Sequence, residues 1–394
     1  MPQPTGSASA GDILELLRAG RARTRREIQE ITGLSRSTLS LRMSQLIAAG
    51  YVRESGQAAA STGRPARILT FDERGQLVLS VDIGATHANL ALIDAGGRVI
   101  MRSQAEIDIA AAPDVTLRYL AKRLSELLSR ANRSISAVTG AGVGIPAPVR
   151  FATQRPNHPP LMPQWHDFPI KRTLSGLLGI PVFVDNDANL MALGETRERY
   201  PDAPSVLFVK VGTGIGAGIV LHGQPERGIS GGAGDIGHIR INDDRNGHRC
   251  TCGARGCLAT EASGGAIARM LREEGREVTS ASQVSELVAA GDLRAVELTQ
   301  RAGRLLGDAL ATSVALLNPE VLVIGGTMAS TSASVFLDAV RGRIYERTVP
   351  LATRELFIAV SSLGADAAIQ GARHLVIDQT VSAQAVDARL QPTA

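Results

Sequence analysis

The sequence has no long hydrophobic run and no sign of a secretory leader. Among its 394 residues, no apolar stretch approaches the roughly 20 residues that a membrane-spanning helix needs. The opening residues MPQPTGSASAGD lack the basic and apolar segments of a signal peptide. These absences argue against a membrane protein and favour a cytoplasmic location. Hydrophobic residues make up 44% and charged residues 20%, as in an ordinary globular protein, and the length predicts two or three folded units.

Cysteine is scarce, and its three copies fall within eight residues, at Cys250, Cys252 and Cys257. An odd, tightly spaced set is a poor disulfide framework and is typical of a metal site. His238 lies upstream, with eleven residues between it and Cys250. Three thiolates and one imidazole form the closed tetrahedral set of a structural zinc site. The sequence therefore predicts structural Zn²⁺ in a loop over residues 238–257. The alternative is three incidental buried cysteines.

Lysine is absent from the first 72 residues, which hold ten arginines against six acidic residues. Residues 73–394 contain 32 basic and 32 acidic residues, so the net charge of +4 lies wholly in the first segment. A small basic segment beside a neutral remainder is typical of a nucleic-acid-binding module attached to a larger domain. We therefore expect the N-terminal part to bind double-stranded DNA.

The first segment has the pattern of a winged helix-turn-helix. After residues 1–10, which are predicted to be disordered, residues 11–72 predict helices at 12–19, 24–33 and 35–50 and strands at 51–54 and 67–71. Thr24, with Glu27 three residues later, and Ser35 are typical helix-capping residues, and Gly33 suits the turn between the second and third helices.

The third of these helices is predicted to enter the major groove of DNA. Short polar side chains and arginine near its start can reach base edges and phosphates, which predicts contacts from Ser35, Arg36, Ser37, Thr38, Ser40 and Arg42. In the wing, Arg64 and Arg67 are expected to contact the minor groove or the backbone. The alternative is a small helical cap with a solvated basic face.

From Leu77 onward, apolar strand-like runs alternate with helical segments, which is the pattern of an α/β domain. Segments 79–94 and 206–221 resemble each other, and such a duplication suggests two related subdomains facing one cleft. Each segment has a Gly/Thr-rich loop whose backbone N–H and hydroxyl groups can approach phosphate, which predicts nucleotide contacts at Gly84, Thr86, Gly212, Thr213 and Gly214. The alternative for each loop is an ordinary β-turn.

A polar cluster follows an apolar strand in the segment PVFVDNDANLMALGE, residues 181–195. A carboxylate at the end of a buried strand and opposite a phosphate loop can act as a general base toward a hydroxyl group. The alternative is a simple capping turn. Farther along the chain, long helices are predicted at 114–132 and 291–317.

Together these motifs resemble the ROK family, named for repressors, open reading frames and sugar kinases. The resemblance covers nearly the whole chain, through DIGATHANLALID, GVGIPAPV, DNDAN, GTGIGAGI, GGAGDIGH, CTCGARGCL, NPEVLVIGG and LGADAAIQGA. It implies an actin-like sugar kinase fold with two α/β lobes and a sugar site in the cleft. The N-terminal winged helix resembles that of the family's repressor branch, which the plain kinases lack.

The resemblance also implies roles for residues in the cleft. Asp187 takes the position of the kinases' catalytic base, and Asn186 and Asp187 are assigned to sugar hydroxyl contacts. His238 looks like the residue that both binds zinc and touches the sugar. Asp235 stands where the kinases usually carry a sugar-contacting Glu.

The chain departs from the kinase pattern in two places. The kinases typically have Asp-x-Gly-Gly-Thr-Lys in the first phosphate loop, where this chain has Ala85 and His87. They follow the last zinc ligand with Leu-Glu, where this chain has Ala259, and losing that hydroxyl contact costs on the order of 1–3 kcal/mol. The first departure argues against ATP and Mg²⁺ as cofactors, and the second is expected to weaken or redirect sugar binding. Together they favour sensing over turnover.

The sequence thus predicts an α/β protein in which a winged helix-turn-helix over 11–72 precedes a two-lobed ROK sensor domain over 73–378 and a flexible tail over 379–394. We expect a sequence-specific transcriptional regulator of carbohydrate metabolism, of the repressor type. It would bind a palindromic operator as a homodimer or tetramer and respond to a sugar or phosphosugar. Two alternatives stay open: an active ATP-dependent sugar kinase that retains the DNA-binding domain, and a regulator controlled by a protein partner.

Overall fold

Three helices and a hairpin form the N-terminal part of the computed structural model, which describes residues 8–57, 67–242, 247–330 and 333–391. The elements are α1 (Ala10–Arg18), α2 (Arg25–Thr32), α3 (Arg36–Ala48), β1 (Val52–Gln57) and β2 (Arg67–Phe71). β1 and β2 pair antiparallel as the predicted wing. Residues 1–7 of the segment predicted to be disordered lie outside the described residues, whereas Ser9 and Ala10, predicted to be disordered too, cap and begin α1.

Local sequence explains where these helices begin and end. The hydroxyl group of Thr24 accepts a hydrogen bond from the N–H of Glu27, whose carboxylate accepts one from the N–H of Thr24. Ser35 caps α3 by accepting from the N–H of Thr38. Gly33 ends α2 with a φ of 68°, a left-handed conformation that glycine adopts without strain. The second and third helices therefore lie where the capping pattern predicts them.

The first lobe of the larger domain is built on a five-stranded mixed sheet. It contains β3 (Leu77–Ile83), β4 (His87–Asp94), β5 (Val99–Glu106), α4 (Pro113–Arg130), β6 (Val138–Ile145), β7 (Val149–Arg150), β8 (Arg155–Pro156), α5 (Ile170–Leu178) and β9 (Val182–Asn186). The strand order is β5-β4-β3-β6-β9, with β3 antiparallel to β4 and parallel to β6. The helix predicted at 114–132 corresponds to α4.

The second lobe repeats this sheet. It contains β10 (Ser205–Val211), β11 (Ile215–Leu221), β12 (Gln224–Glu226), α7 (Leu258–Ala262), α8 (Gly264–Glu273), α9 (Ala281–Ala289), α10 (Leu293–Leu317), β13 (Val321–Gly325), α11 (Thr327–Ser330), α12 (Ala333–Arg347), α13 (Pro350–Thr353) and β14 (Phe357–Val360). The order β12-β11-β10-β13-β14 has the same strand directions as in the first lobe. The predicted duplication is therefore confirmed, and each duplicated segment is an antiparallel hairpin.

Two helices, α6 (Asp187–Arg199) and α14 (Asp366–Thr380), join the lobes. α6 packs on β10 and β11 of the second lobe, and α14 packs on α6 and on the first sheet. Glycine permits these close contacts. A Cβ at Gly371 would lie 1.8 Å from the carbonyl oxygen of Leu190, and one at Gly218 would lie 2.3 Å from that of Ala188. The start of α6 is therefore held against the second lobe.

A C-terminal helix, α15 (Ala383–Leu390), stands in place of the predicted flexible tail, whose residues 392–394 lie outside the described part. It packs on α1, where Val386 is fully buried and the N–H of Gly11 donates to Oδ1 of Asp387 at 2.8 Å. A Cβ at Gly11 would lie only 2.2 Å from the carbonyl oxygen of Ala383. The prediction of a flexible tail is wrong because this 8-residue helix depends on α1 rather than on its own propensity.

One apolar core joins the winged helix to the first lobe. It includes Leu14 of α1, Val386 of α15 and residues of α6, α14 and the first sheet. Beside it, the carboxylate of Asp378 on α14 lies 3.7 Å from a guanidinium nitrogen of Arg18 on α1 and 3.2 Å from one of Arg197 on α6. Asp378 therefore bridges the winged helix and the helix that reaches the cleft.

A search of the described helices finds none that is long and apolar enough to cross a lipid bilayer.

Candidate DNA-binding face and ligand cleft

The outer face of α3 carries accessible polar side chains. Arg36, Ser37 and Ser40 are exposed, whereas Leu39 and Met43 on the opposite side are buried in the core of the winged helix. This separation follows from the helical period, which puts every third or fourth residue on one face. With Ser35, which is exposed as well, four of the six contacts predicted at this helix are therefore accessible to a DNA groove.

Some of the six predicted contacts are partly occupied by hydrogen bonds or by burial. The hydroxyl group of Ser35 accepts from the N–H of Thr38, and the hydroxyl groups of these two residues lie 2.8 Å apart. Arg42 is half-buried, and its Nη1 is shielded from solvent with no hydrogen-bond partner among the described residues. Leu41, which sequence reasoning did not select, is 63% exposed. The face thus includes one apolar residue that the predicted set lacked, and Arg42 of that set is only partly accessible.

In the wing, Arg67 forms an ion pair with Glu54 on the neighbouring strand. Arg25 of α2 lies 3.6 Å from the same carboxylate. The hydrogen bond from Arg67 holds the pKa of the Glu54 carboxyl group below its ordinary value. The charge of Arg67 is therefore partly neutralised within the protein. Arg64, the other predicted wing contact, lies outside the described residues.

Asn186 ends β9 and caps α6 where the two lobes meet. Its Oδ1 accepts hydrogen bonds from the N–H groups of Ala188 at 2.9 Å and Asn189 at 3.2 Å. Its Nδ2 donates to the carbonyl oxygen of Ala147 at 3.0 Å. The capping turn and the proposed ligand contact are therefore compatible, because the amide keeps one N–H beyond these bonds.

Asp187, the predicted base, has a donor on each carboxylate oxygen. Oδ1 accepts from the N–H of Ala188 at 2.7 Å, and Oδ2 accepts a hydrogen bond from the ammonium group of Lys210. Lys210 lies in β10, so this ion pair crosses from the second lobe to the first. Sequence reasoning missed Lys210, although a single charged residue inside the apolar run VLFVKV is a detectable signal. The ammonium group of Lys210 therefore occupies one side of Oδ2 of Asp187.

Asp82, at the end of β3, faces the same ammonium group. Burial raises the pKa of the Asp82 carboxyl group, and the nearby charge of Asp187 adds to that effect while Lys210 opposes it. Burial alone would lower the pKa of Lys210, but the two carboxylates together raise it above the ordinary value. Lys210 therefore stays charged as the cation between two acidic groups.

A second ion pair links the lobes beside the first. Asp185 is fully buried, and its Oδ2 accepts from Nε of Arg227 at 2.7 Å. Arg227 follows β12 of the second lobe, and its guanidinium group lies 3.7 Å from the centre of the Phe151 ring. Asp185 thus serves to hold the lobes together rather than to contact a ligand.

The first glycine loop is folded tightly onto its own strands. The N–H of Gly84 donates to the carbonyl oxygen of His87 at 2.8 Å, and the carbonyl oxygen of Ala85 accepts from Ile109 at 3.1 Å. The methyl group of Ala85 packs against the core of the first lobe. The hydroxyl group of Thr86 lies 3.3 Å from Nδ1 of His87. The glycine N–H that was expected to face phosphate is therefore already bonded.

The second glycine loop packs against the start of α8. The N–H of Gly212 donates to the carbonyl oxygen of Gly214 at 3.0 Å, and its own carbonyl accepts from Gly264 at 2.8 Å. A Cβ on Gly265 would lie 2.4 Å from the carbonyl oxygen of Thr213. The loop is thus a close-packed turn between β10 and β11, which is the alternative that sequence reasoning left open beside a nucleotide contact.

His238, Cys250, Cys252 and Cys257 come together as a candidate metal centre. Their ligand atoms all lie within 4.8 Å of one another. Nδ1 of His238 is 3.4 Å from Sγ of Cys250, and Sγ of Cys252 is 3.7 Å from that of Cys257. A tetrahedral ion with metal–sulfur bonds of about 2.3 Å requires sulfur atoms about 3.8 Å apart. The four groups therefore fit one tetrahedral cation.

The thiols of this cluster perturb one another. Burial, reinforced by hydrogen bonds from Cys252 and Cys250, raises the pKa of Cys257 to about 12. Burial opposes ionisation of Cys252 as well, but the backbone N–H of Ala254 and the neighbouring thiols bring its pKa below the ordinary value. Cys252 is therefore the first of these two to ionise, and a bound cation would favour the remaining thiolate.

His238 of the metal cluster also approaches Asp235, which was predicted to contact the sugar. Its Nε2 lies 3.9 Å from Oδ1 of Asp235, and burial raises the pKa of the Asp235 carboxyl group while His238 opposes that shift. Glu261, the carboxylate nearest in sequence to Ala259, is buried and lies 3.9 Å from Arg301 of α10. Oε2 of Glu261 makes this ion pair, whereas Oε1 is buried with no hydrogen-bond partner among the described residues.

Comparison with known proteins agrees with both parts of the fold. The profile of the ROK family matches residues 78–379, and a profile described as winged helix-turn-helix DNA-binding matches residues 9–53. A putative xylose repressor of Caldicellulosiruptor sp. is 29% identical over 384 residues, covering 94% of this chain and 95% of that protein. A glucokinase of Halalkalibacterium halodurans is 32% identical over 316 residues, covering 76% of this chain and 95% of that protein.

The solved structures that resemble this chain also include both a regulator and kinases. A ROK family transcriptional regulator, described as a homolog of the Escherichia coli Mlc protein, has a TM-score of 0.80 at 28% identity and covers 98% of both chains. A ROK family glucokinase from Streptomyces griseus, solved with glucose and AMPPNP, has a TM-score of 0.65 at 26% identity. It covers 76% of this chain and 98% of its own.

Proposed function

The chain belongs to the ROK family, and from that premise we propose that it is a sequence-specific DNA-binding repressor controlled by a sugar. The likeness to a regulator along 98% of both chains carries this proposal, because the kinase compared with it covers only 76% of this chain. The winged helix accounts for the difference. Its target would be chromosomal DNA, so we place the protein in the cytoplasm. Two-fold symmetry of a homodimer, or of a tetramer built from dimers, would match a palindromic operator.

D-Xylose is the first ligand to test, since several relatives of similar length are named xylose repressors at 26–29% identity. The remaining N–H of Asn186 and the carboxylates of Asp187 and Asp235 offer donors and acceptors to sugar hydroxyl groups. His238 would add a ring nitrogen at the border of the metal cluster. A phosphosugar is the less favoured ligand, because Lys210 is already paired with Asp187.

Zn²⁺ is the cation that we propose for the cluster of His238 and the three cysteines. The sulfur and nitrogen donors and their closed arrangement suit structural zinc. Zinc would hold the loop over 238–257 and fix the imidazole orientation of His238 toward Asp235. No step of ligand binding needs the metal itself to contact the sugar.

Fluorescence anisotropy with DNA tests the proposal directly. A duplex pool is first enriched from a random library by the full chain, and the winning duplex is then titrated with and without D-xylose at fixed salt. We expect tight binding that D-xylose weakens at least tenfold. Failure to enrich any duplex would overturn the DNA-binding assignment. Undiminished binding with D-xylose, D-glucose and their phosphates would favour control by a protein partner.

A sugar kinase is the second candidate, favoured by the carboxylate of Asp187 in the cleft and by the glucokinase relatives. The hydrogen bonds on both oxygens of Asp187 and the bonded glycine N–H groups argue against it. An ADP-release assay with ATP, Mg²⁺ and D-xylose or D-glucose decides between them. Turnover that the Asp187→Asn variant abolishes would establish the kinase.

A further inference from the structure

Leu41 is an apolar side chain on the recognition face of α3. It is 63% exposed, although Leu39, Met43 and Leu46 of the same helix are buried. The helical period explains this, because Leu41 lies on the side opposite to the core. No described residue covers it, and neither the composition nor the charge of the first segment accounts for a leucine at this position.

The residues around Leu41 on this face are three serines and Gln45, which is exposed four residues after it. Ser37, Ser40 and Ser44 are exposed and lie four residues before, one before and three after it. The hydroxyl group of Ser44 donates to the carbonyl oxygen of Ser40 at 2.9 Å, and the hydroxyl groups of Ser35 and Ser37 lie 2.9 Å apart. The serine side chains stay close to the helix, so Leu41 projects beyond all three of them. A helix with such a face can lie deep in a groove.

The floor of the major groove presents one apolar group in unmodified DNA, the 5-methyl group of thymine. A leucine that loses its hydration on binding gains free energy only against an apolar group, and base edges of G, C and A offer none. We infer that Leu41 is a specificity-determining residue that contacts a thymine methyl group in each operator half-site. This inference rests on the proposed DNA-binding function and names a feature of the sequence that it reads.

A protein partner is the less suitable occupant of this face. The exposed neighbours of Leu41 are serines and Gln45, all of them polar, so its apolar patch is a single side chain wide, well below the area of a stable protein interface. Arg36, exposed at the start of the same helix, adds a positive charge that suits phosphate. The same surface therefore combines the positive charge of Arg36, which can contact a phosphate, with the apolar side chain of Leu41, which can contact a base.

Replacing thymidine with deoxyuridine removes only the 5-methyl group of the base, so it tests the proposed contact with Leu41 directly. The duplex enriched from a random library is resynthesised with each thymine replaced in turn, and affinity is measured by anisotropy at fixed salt. At one symmetric pair of positions, we expect the wild type to lose about fourfold in affinity per half-site, the effect of one buried methyl group. Leu41→Ala should bind the thymine duplex and the deoxyuridine duplex with equal affinity. Leu41→Met should keep part of the preference for thymine.

Leu293→Ala is the matched control, since Leu293 is 86% exposed at the start of α10 in the second lobe. It should discriminate like the wild type, and circular dichroism verifies that all variants fold. Wild-type binding that is unaffected by deoxyuridine at every position would overturn the inference and leave the proposed function intact. Equal methyl sensitivity in Leu41→Ala would overturn it too. Failure to enrich any duplex would instead contradict DNA binding itself.

Discussion

At the scale of single residues, the pair between Lys210 and Asp187 decides the chemistry of the cleft. An ammonium group held between two carboxylates neutralises charge that the protein interior would otherwise disfavour. The side chain of Asp187 is 6% exposed and that of Lys210 is 31% exposed, so water screens the pair only in part. An ammonium partner makes the carboxylate a weaker base toward a sugar hydroxyl group. The arrangement suits binding better than turnover.

Replacing Lys210 with Met should destabilise the protein by about 1–3 kcal/mol at neutral pH, because it leaves two carboxylates without a counter-charge. Without the ammonium group, the pKa of Asp82, already raised by burial, should rise further. A carboxyl group whose folded pKa is raised destabilises the folded state at higher pH, and that effect disappears as the pH falls through the folded pKa. The loss should therefore shrink on acidification, as measured by urea unfolding from pH 8 to pH 5.

Two further variants make this measurement decisive. Lys210→Arg keeps the charge and should retain most of the stability. Lys122→Met removes a lysine that is exposed on α4 and should change stability little at any pH. A deficit in Lys210→Met that stays constant with pH would contradict the role of Lys210 as counter-ion to Asp82.

At the scale of elements, capping sequences made the helix-turn-helix predictable. Each helix cap bonds to a residue only three positions later, from Thr24 to Glu27 and from Ser35 to Thr38, and Gly33 directly follows α2. These contacts can therefore be predicted from sequence spacing alone. α15 depends on burial of Val386 against α1, which is more than 360 residues distant in sequence, as the hydrogen bond between Gly11 and Asp387 illustrates. No local pattern reports such a contact.

The cleft residues show the same division. The position of Asp187 after β9 follows from an apolar strand and a capping turn, both local. Its partner Lys210 belongs to a strand of the other lobe, and only the folded arrangement brings the two together. Arg42 was predicted as a DNA contact from its place near the helix start, yet its Nη1 is shielded from solvent. Side-chain direction depends on packing that the spacing did not specify.

The loop over 238–257 is an element whose stability should depend on metal. We expect the purified chain to carry about one Zn²⁺, and Cys252→Ala to lose most of it because one thiolate of the closed set is missing. The loss should lower the Tm by about 5–10 °C, as for removal of a structural ion from a domain of this size. Inductively coupled plasma mass spectrometry and thermal unfolding measure the two effects.

His248→Ala provides the comparison, because His248 lies in the same loop and outside the cluster of four ligands. It should keep the zinc content of the wild type, and its Tm should fall less than that of Cys252→Ala, because only the contact between its ring and Arg269 is lost. If Cys252→Ala retains full zinc and unchanged stability, the structural-zinc assignment fails.

At the scale of the whole molecule, α6 runs from the ligand cleft to the winged helix. Its first residue is Asp187, and Arg197 near its end shares Asp378 with Arg18 of α1. A ligand that alters the contact between the lobes at Asp187 would act on DNA binding through this shared ion pair. This requires the ion pair to differ between the ligand-free and the ligand-bound protein. The duplication of sheets was visible in the sequence, whereas this path across three helices was not.

Asp378→Asn should therefore weaken the coupling between sugar and operator. The three groups are about a quarter exposed, so each ion pair contributes little by itself, and we expect the ratio of operator Kd values with and without D-xylose to fall by about 2- to 5-fold. Asp308→Asn is the control, because Asp308 also bridges two arginines, Arg343 and Arg347, within the second lobe. Equal coupling in both variants would contradict a role for Asp378.

The contact between α1 and α15 has a practical consequence for hybrid repressors. A designer who wants a new operator specificity would exchange the DNA-binding module at the sequence boundary near residue 72. That cut would separate Gly11 and Leu14 of α1 from Ala383 and Val386 of α15. The hybrid would then combine an α1 and an α15 that come from different proteins and do not fit each other. A transplantable unit has to include both ends of the chain, residues 8–72 together with 381–391, so that the foreign module arrives with the helix against which it folds.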